Sequence, residues 1–280
     1  MKKWMSMLAV GALSLSLAAC NQTASPTDNT KITETSNLTL QEVYDKSIKA
    51  SEELKSVKAT IDMKQKMSMV DQGIDADISS LMDMEYVIEP MQIYQKGKTT
   101  MHAMTGDGED QVMDMESYIT KDSFYMSEGD QWMKLPQDLL GELQNSAEQS
   151  NPSDQLKQIE SFLEDFTFKQ DNDHYILSLE ASGEKFTELV QSQLDDMMQN
   201  IMDSGQEANI EMDIKSVKYL IHIDKKTFNS SKVDMVMDMS MVIDGEEMML
   251  YQDVKTNFSH FNEIKEIVIP QDVIDSALEI

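Results

Sequence analysis

Apolar and polar residues alternate over residues 57–69. Val57, Ala59, Ile61, Met63, Met67 and Met69 fall on one side of this pattern, and residues 58, 60, 62, 64, 66 and 68, all polar, fall on the other. After Gly73 the alternation resumes over residues 74–88. A period of two predicts β-strands with one solvated face, and the intervening turn predicts an antiparallel hairpin.

The same period returns elsewhere in the chain. Residues 217–223 and 233–243 alternate strongly, and Asp244-Gly245 is a hairpin signal. Asp171-Asn172-Asp173 predicts another hairpin in the middle of the chain. Shorter strands are predicted near residues 91–96, 99–105, 111–120, 123–126, 248–254 and 257–261.

Helical spacing separates these strand regions. Thr39 and Glu42 fit a capping box at the start of a helix over residues 40–54. A second helix is predicted through residues 152–166. The strongest helical pattern covers residues 184–203, where apolar residues recur every three or four positions until Gly205.

This order of elements predicts an α+β fold. Two long one-sided antiparallel sheets need a cover for their apolar faces, and the amphipathic helices between them can supply it. We therefore expect a curved antiparallel sheet, an open half-barrel, with amphipathic helices packed in its concavity. Residues 39–280 should form this single domain.

The amino terminus predicts export and lipid attachment. Lys2 and Lys3 precede a mostly apolar stretch over residues 5–17 that is too short to span about 30 Å of hydrocarbon. Residues 17–20 resemble a bacterial lipobox ending in Cys20, the sole cysteine. We therefore expect a signal peptide over residues 1–19, lipid on Cys20, and a flexible tether over residues 20–38. The protein would sit on the extracytoplasmic face of the cell membrane.

The charge balance excludes one class of partner. The chain has 51 acidic and 23 basic residues, every basic residue is lysine, and the formal net charge is −28. Nucleic acids and anionic lipid surfaces attract basic proteins and favour arginine. Nucleic acid is therefore not a partner, and the membrane should be reached through the lipid on Cys20.

Methionine is the unusual residue, with 25 in 280 positions. Its flexible thioether suits cavities of variable shape, so the strands and the 184–203 helix predict a cavity for a lipid or another apolar ligand. The candidate lining residues are Met63, Met67, Met82, Met84, Leu194, Met197, Met198, Met235, Met237, Met239 and Met241.

Two alternatives stay open. The methionines can instead fill a core, in which case the lipoprotein has a structural role or recruits an envelope protein through its acidic surface. Met-x-Met pairs, such as Met82 and Met84, place two sulfur atoms on one face of a strand, with about 7 Å between their backbone positions. Soft thioethers suit Cu(I), so a copper-binding protein is the second alternative.

Catalytic motifs were not found in the sequence. Gly-x-Ser-x-Gly, a phosphate-binding loop and a dinucleotide fingerprint are absent, and only four histidines occur. The acidic turns lack EF-hand spacing. We therefore expect neither an enzyme, nor a cofactor, nor a metal site of the usual oxygen or nitrogen ligands.

Three stretches resemble the LolA/LppX-like superfamily of bacterial lipoproteins and periplasmic lipid carriers. They are residues 118–136, with the sequences YITKDSFYM and QWMKLP; residues 219–241, from YLIHIDKKT to the methionine-rich strand; and residues 258–270, which end in IVIP. The resemblance implies an open antiparallel barrel with helices lining or plugging an apolar cavity. It carries no ligand-binding residues to this chain.

Overall fold

The computed structural model describes most of the chain with some gaps. The described ranges are 22–27, 36–69, 73–102, 109–129, 131–136, 156–157, 160–181, 210–243 and 245–279. The predicted helix over 184–203 lies outside them.

Thirteen strands within these ranges form one sheet. They are β1 (Ser25–Pro26), β2 (Ser56–Met69), β3 (Ile74–Val87), β4 (Gln92–His102), β5 (Gln111–Ile119), β6 (Phe124–Glu128), β7 (Gln131–Lys134), β8 (Thr167–Gln170), β9 (His174–Ala181), β10 (Ile210–Asp224), β11 (Ser230–Ile243), β12 (Glu246–Ser259) and β13 (Leu278–Glu279). Their order across the sheet is β1-β8-β9-β10-β11-β12-β2-β3-β4-β5-β6-β7-β13. The neighbouring strands are antiparallel except at the two edges, where β1 with β8 and β13 with β7 are parallel.

The pairing of β12 with β2 joins the two predicted meanders. Met248 lies opposite Met69, and the register continues without a break to Ser259 opposite Lys58. The prediction of an open antiparallel sheet with helical cover is therefore confirmed. The strands predicted separately over 91–96 and 99–105 meet in one continuous strand, β4, in which Gly97 stays in register with Met82; residues 103–105 lie outside the described residues.

Helix α1 (Leu40–Glu52) begins at the predicted capping box. The backbone N–H of Thr39 donates to the Glu42 carboxylate at 2.8 Å, and the Glu42 N–H donates to the Thr39 hydroxyl at 3.2 Å. The hydrogen bond from the Thr39 N–H is the main cause that lowers the pKa of the Glu42 carboxyl, and the Thr39 hydroxyl, which donates to the same carboxylate at 3.1 Å, is the second. The helix therefore starts at a fixed point beside the sheet.

The main core lies between α1 and one face of the sheet, which we call the inner face. Leu40, Val43 and Tyr44 of α1 are buried against strands β8 to β11. A 3₁₀ helix, Glu160–Asp165, adds Phe162 and Leu163 to this core. The sequence predicts a longer helix over residues 152–166. Within that range, the structure describes residues 156–157 as α-helical and residues 160–165 as the 3₁₀ helix.

A smaller core lies on the opposite, outer face. The segment after β12 crosses it and continues into helix α2 (Gln271–Ser276). Ile267 and Val273 of this segment pack on Val87, Tyr118 and Tyr125. The sheet is therefore covered on its inner face at the β8 side and on its outer face at the β7 side.

Part of the predicted tether is folded. Residues 22–27, which we call the strap, lie along the edge of the sheet, and Ser25 and Pro26 pair with Lys169 and Gln170 of β8. Ala24 is buried in the main core. The expectation of a flexible chain throughout 20–38 is therefore wrong for the strap. This stretch has few apolar residues, so no hydrophobic pattern in the sequence indicates its backbone pairing with β8.

Candidate functional site

The inner face carries almost no charge. Residues directly opposite one another in an antiparallel sheet share a face, so the register assigns each side chain. From β8 across to β5, the inner positions are apolar or uncharged polar residues, apart from Glu246 at the tip of the β11–β12 hairpin. In a chain with 51 acidic residues, this separation defines an apolar surface that could hold an apolar ligand.

The outer face carries the charges instead. Lys66 lies 3.6 Å from Asp77, Lys96 lies 3.0 Å from Glu116, and Lys218 lies 2.7 Å from Glu180. Most of these side chains are well exposed, so the pairs contribute little to stability and mainly keep this face solvated.

The predicted methionines of β2, β3 and β11 all lie on the inner face. Their strands are neighbours through β12, so the structure brings together Met63, Met67, Met82, Met84, Met235, Met237, Met239 and Met241. The other three candidates, Leu194, Met197 and Met198, lie outside the described residues. Strand alternation predicted that the methionines within each strand share a face, and the register adds that the three strands turn these faces to the same side.

The packing divides these eight residues into two groups. Met239 is 3% exposed and belongs to the main core, and Met237 and Met241 pack against that core. Met63, Met67, Met82 and Met84, together with Met235 of β11, are half-buried and belong to neither core cluster of the described residues. The filled-core interpretation thus fits Met237, Met239 and Met241, whereas the β2–β3 side presents an apolar surface that these two clusters do not use.

Gly97 allows Met82 to lie close to the backbone of β4. A Cβ atom at position 97 would stand 2.6 Å from the Met82 Cγ and 2.7 Å from the Leu81 carbonyl oxygen. Such distances leave no room for a side chain at position 97. The lack of a side chain at position 97 therefore leaves the space that Met82 occupies against β4.

Two glutamines lie among the apolar residues of the inner face, and the sequence pattern did not predict them. Gln65 of β2 lies directly opposite Gln252 of β12, between Met237 and Ile78 in the same cross-strand row. Both are half-buried. Amides among apolar side chains can orient the polar part of a ligand. Their shared position follows only from the β12–β2 register, which no local pattern reveals.

A second unpredicted feature is a row of four methionines across four neighbouring strands. Met212 lies opposite Met241, Met241 opposite Met248, and Met248 opposite Met69. All four are half-buried. Neighbouring strands lie about 4.8 Å apart, so flexible thioethers in such a row can approach one another.

Titratable groups contribute little to the inner face. Tyr219 of β10 lies between Leu179 and Met235, and burial raises the pKa of its hydroxyl, which keeps it neutral. Within the described residues, no group of three or more histidine, cysteine, aspartate or glutamate side chains could hold a metal ion. Nor is any helix in these ranges long and apolar enough to cross a membrane.

The described residues therefore form a single open sheet whose inner face, from β8 to β5, is uncharged apart from Glu246. A family model for DUF6612, a family of unknown function, matches residues 39–278, and the chain belongs to this family. A search of the curated proteins finds none that matches the chain.

Solved structures similar to the chain include members of the class that the sequence resembles. The lipoprotein LppX of Mycobacterium tuberculosis is 13% identical, covers 82% of this chain and 98% of its own, and has a TM-score of 0.39. A putative outer membrane lipoprotein-sorting protein domain from Vibrio parahaemolyticus is 13% identical, covers 84% and 96%, and has a TM-score of 0.23. A beta-barrel-like protein of Brucella abortus is 8% identical, covers 74% and 99%, and has a TM-score of 0.24. Similarity of this degree assigns no residue roles to this chain.

The face assignment can be tested by placing one charge on either side of β11. Met237→Lys puts an ammonium against the main core and should lower the free energy of unfolding by about 2–4 kcal/mol. Asp238→Lys puts the same charge on the outer face and should change it by less than about 1 kcal/mol. Urea unfolding of the two variants measures the difference, and equal losses would contradict the assigned register.

Proposed function

We propose that the protein is a non-enzymatic lipoprotein, anchored to the extracytoplasmic face of the cell membrane through Cys20, that binds a lipid or another apolar ligand on its inner face. The observation that carries the proposal is the half-buried apolar surface of Met63, Met67, Met82 and Met84, which lies outside both cores. Burying apolar surface is worth about 25 cal/mol per Å². A surface of this kind therefore favours an acyl chain or another apolar occupant.

Gln65 and Gln252 would hold the polar part of such a ligand. They lie opposite each other in adjacent strands and are flanked by apolar positions in the same row. An amide offers both donors and an acceptor, so this pair suits an ester or a hydroxyl group. The methionines would accept acyl chains of different lengths because their side chains adopt many conformations.

The anchor is supported by the amino-terminal sequence. Residues 17–20, Leu-Ala-Ala-Cys, follow an apolar stretch and contain the single cysteine of the chain. A single acyl chain gives only marginal membrane binding, whereas several chains hold a protein firmly. A diacylglyceryl cysteine would therefore keep the acidic domain at the surface without a basic patch.

Replacing the proposed lipidation site tests the anchor. In the Cys20→Ser variant, the protein should move from the membrane fraction to the soluble extracytoplasmic fraction, because no thiol is left to carry the lipid. Fractionation and the intact mass of the protein measure this change. If the wild-type protein carries no mass of an attached lipid, the proposed anchor is wrong.

Ligand binding can be tested on the same Cys20→Ser chain, which retains every described residue. Native mass spectrometry should find a co-purified lipid, and a fluorescent fatty acid should bind. Gln65→Leu with Gln252→Leu should weaken binding about tenfold, which corresponds to about 1.4 kcal/mol for the lost hydrogen bonds. Lys64→Leu changes the outer face of the same strand and should leave the affinity unchanged.

Absence of both a co-purified lipid and fatty-acid binding would favour the filled-core alternative. In that case the acidic outer surface, rather than the inner face, becomes the candidate for contact with an envelope protein. Crosslinking in cells would then return a stable protein partner.

Copper binding is the second candidate function, and the row of Met212, Met241, Met248 and Met69 favours it. Thioethers are soft ligands that select Cu(I) over the harder divalent ions. Four of them in consecutive strands provide a full set of donors without histidine or cysteine.

An anaerobic titration with Cu(I) against a competing chelator tests this candidate. One equivalent of Cu(I) should bind, and Met241→Leu with Met248→Leu should reduce the affinity at least tenfold while keeping the apolar packing. The control is Met63→Leu with Met235→Leu, because Val254 separates these two methionines in their row. An equal loss in both double variants, or no stoichiometric uptake, would exclude a site at the row.

A further inference from the structure

The strap is held to the domain by backbone and side-chain contacts along its whole length. The Gln22 carbonyl accepts a hydrogen bond from the N–H of Leu40, the first residue of α1, at 3.0 Å. Thr23 forms an isolated β-bridge with Thr39. At the other end of the strap, the Thr27 N–H donates to the Gln170 carbonyl at 2.9 Å.

Gln170 is the centre of this attachment. Its side chain is almost completely buried, and its amide nitrogen donates to the Ala24 carbonyl at 2.7 Å. Its amide oxygen accepts from the Ser36 N–H at 3.0 Å and from the Lys225 ammonium at 2.9 Å. One buried glutamine therefore holds both the strap and the chain that leads into α1.

The position of the strap limits the reach of the anchor. Only Asn21 stands between Cys20 and Gln22 in the sequence. Two residues span at most about 7 Å when fully extended. A lipid on Cys20 would therefore bring Gln22 and the start of α1 close to the headgroups, whereas a free tether of residues 20–38 would allow an end-to-end distance of about 23 Å.

The strap is also suited to this position by its charge. Its sequence, Gln-Thr-Ala-Ser-Pro-Thr, contains no charged residue, although 26% of the chain is charged and the formal net charge is −28. An acidic segment would be repelled by an anionic bilayer surface, and an uncharged one is not.

We propose that the strap docks the domain on the bilayer in a fixed orientation, with the β8 edge of the sheet and the N-terminal end of α1 facing the membrane. This inference rests on the proposed lipid anchor at Cys20. It goes beyond the anchor because it assigns a membrane-facing surface to the folded domain. The inner face, on which α1 packs, would then begin at the bilayer surface, next to the membrane lipids that are the proposed ligands.

Fluorescence quenching in vesicles tests the orientation. The full lipidated chain is placed in vesicles of phosphatidylcholine and phosphatidylglycerol that carry a nitroxide on the headgroup. A fluorophore is attached either to Gln41→Cys, in the first turn of α1, or to Ser276→Cys, at the end of α2. Quenching should be at least threefold stronger at position 41 than at position 276.

Two changes should remove this difference. Gln170→Met keeps the volume of the side chain but removes its hydrogen bonds, so the strap should gain amide hydrogen exchange and quenching at position 41 should fall. Twelve Gly/Ser residues inserted between Asn21 and Gln22 leave every strap contact in place but lengthen the reach, so quenching should fall here too. The insertion keeps the test valid if Gln170→Met fails to fold.

The outcomes separate the orientation from the anchor. Protein that does not float with the vesicles and carries no lipid mass would overturn the anchor itself. Lipidated protein that floats but shows equal quenching at positions 41 and 276 would overturn the fixed orientation and leave the anchor standing.

Discussion

The pairing of β12 with β2 is the interaction on which the rest of the structure depends. It is an uninterrupted antiparallel register from Met248 opposite Met69 to Ser259 opposite Lys58, and it joins the first and last thirds of the chain. A shift of one residue would move every apolar side chain of one strand to the other face. The methionine row, the glutamine pair and the uncharged inner surface all depend on this register.

The two faces of this sheet differ in charge and in packing. The outer face carries exposed charges and ion pairs that keep it solvated, and the C-terminal segment covers one end of it. The inner face is tightly packed near α1, where Met239 is a core residue, and is only half-buried at Met82 and Met84. Methionine serves both regions because a flexible thioether packs in a filled core and also at an uneven surface.

Local signals in the sequence predicted much of this fold. The capping box at Thr39, the hairpin at residues 171–173 and the alternation in β2, β3 and β11 are all observed, because each depends on residues close together in the chain. The strap was missed because its edge pairing is made by the backbone of polar residues. Gln65 and Gln252 were missed because they meet only through a pairing between distant strands.

Among the described residues, both edges of the sheet end in a short parallel strand, β1 at one side and β13 at the other. Pro26 in β1 has no N–H to offer, and each of these strands has only two residues. Open sheet edges are templates for growth by addition of further chains. With the proposed lipid on Cys20, copies of the protein would be concentrated in two dimensions, where such growth would be fastest. The two-residue strands β1 and β13 would then limit the pairing of neighbouring copies into one continuous sheet.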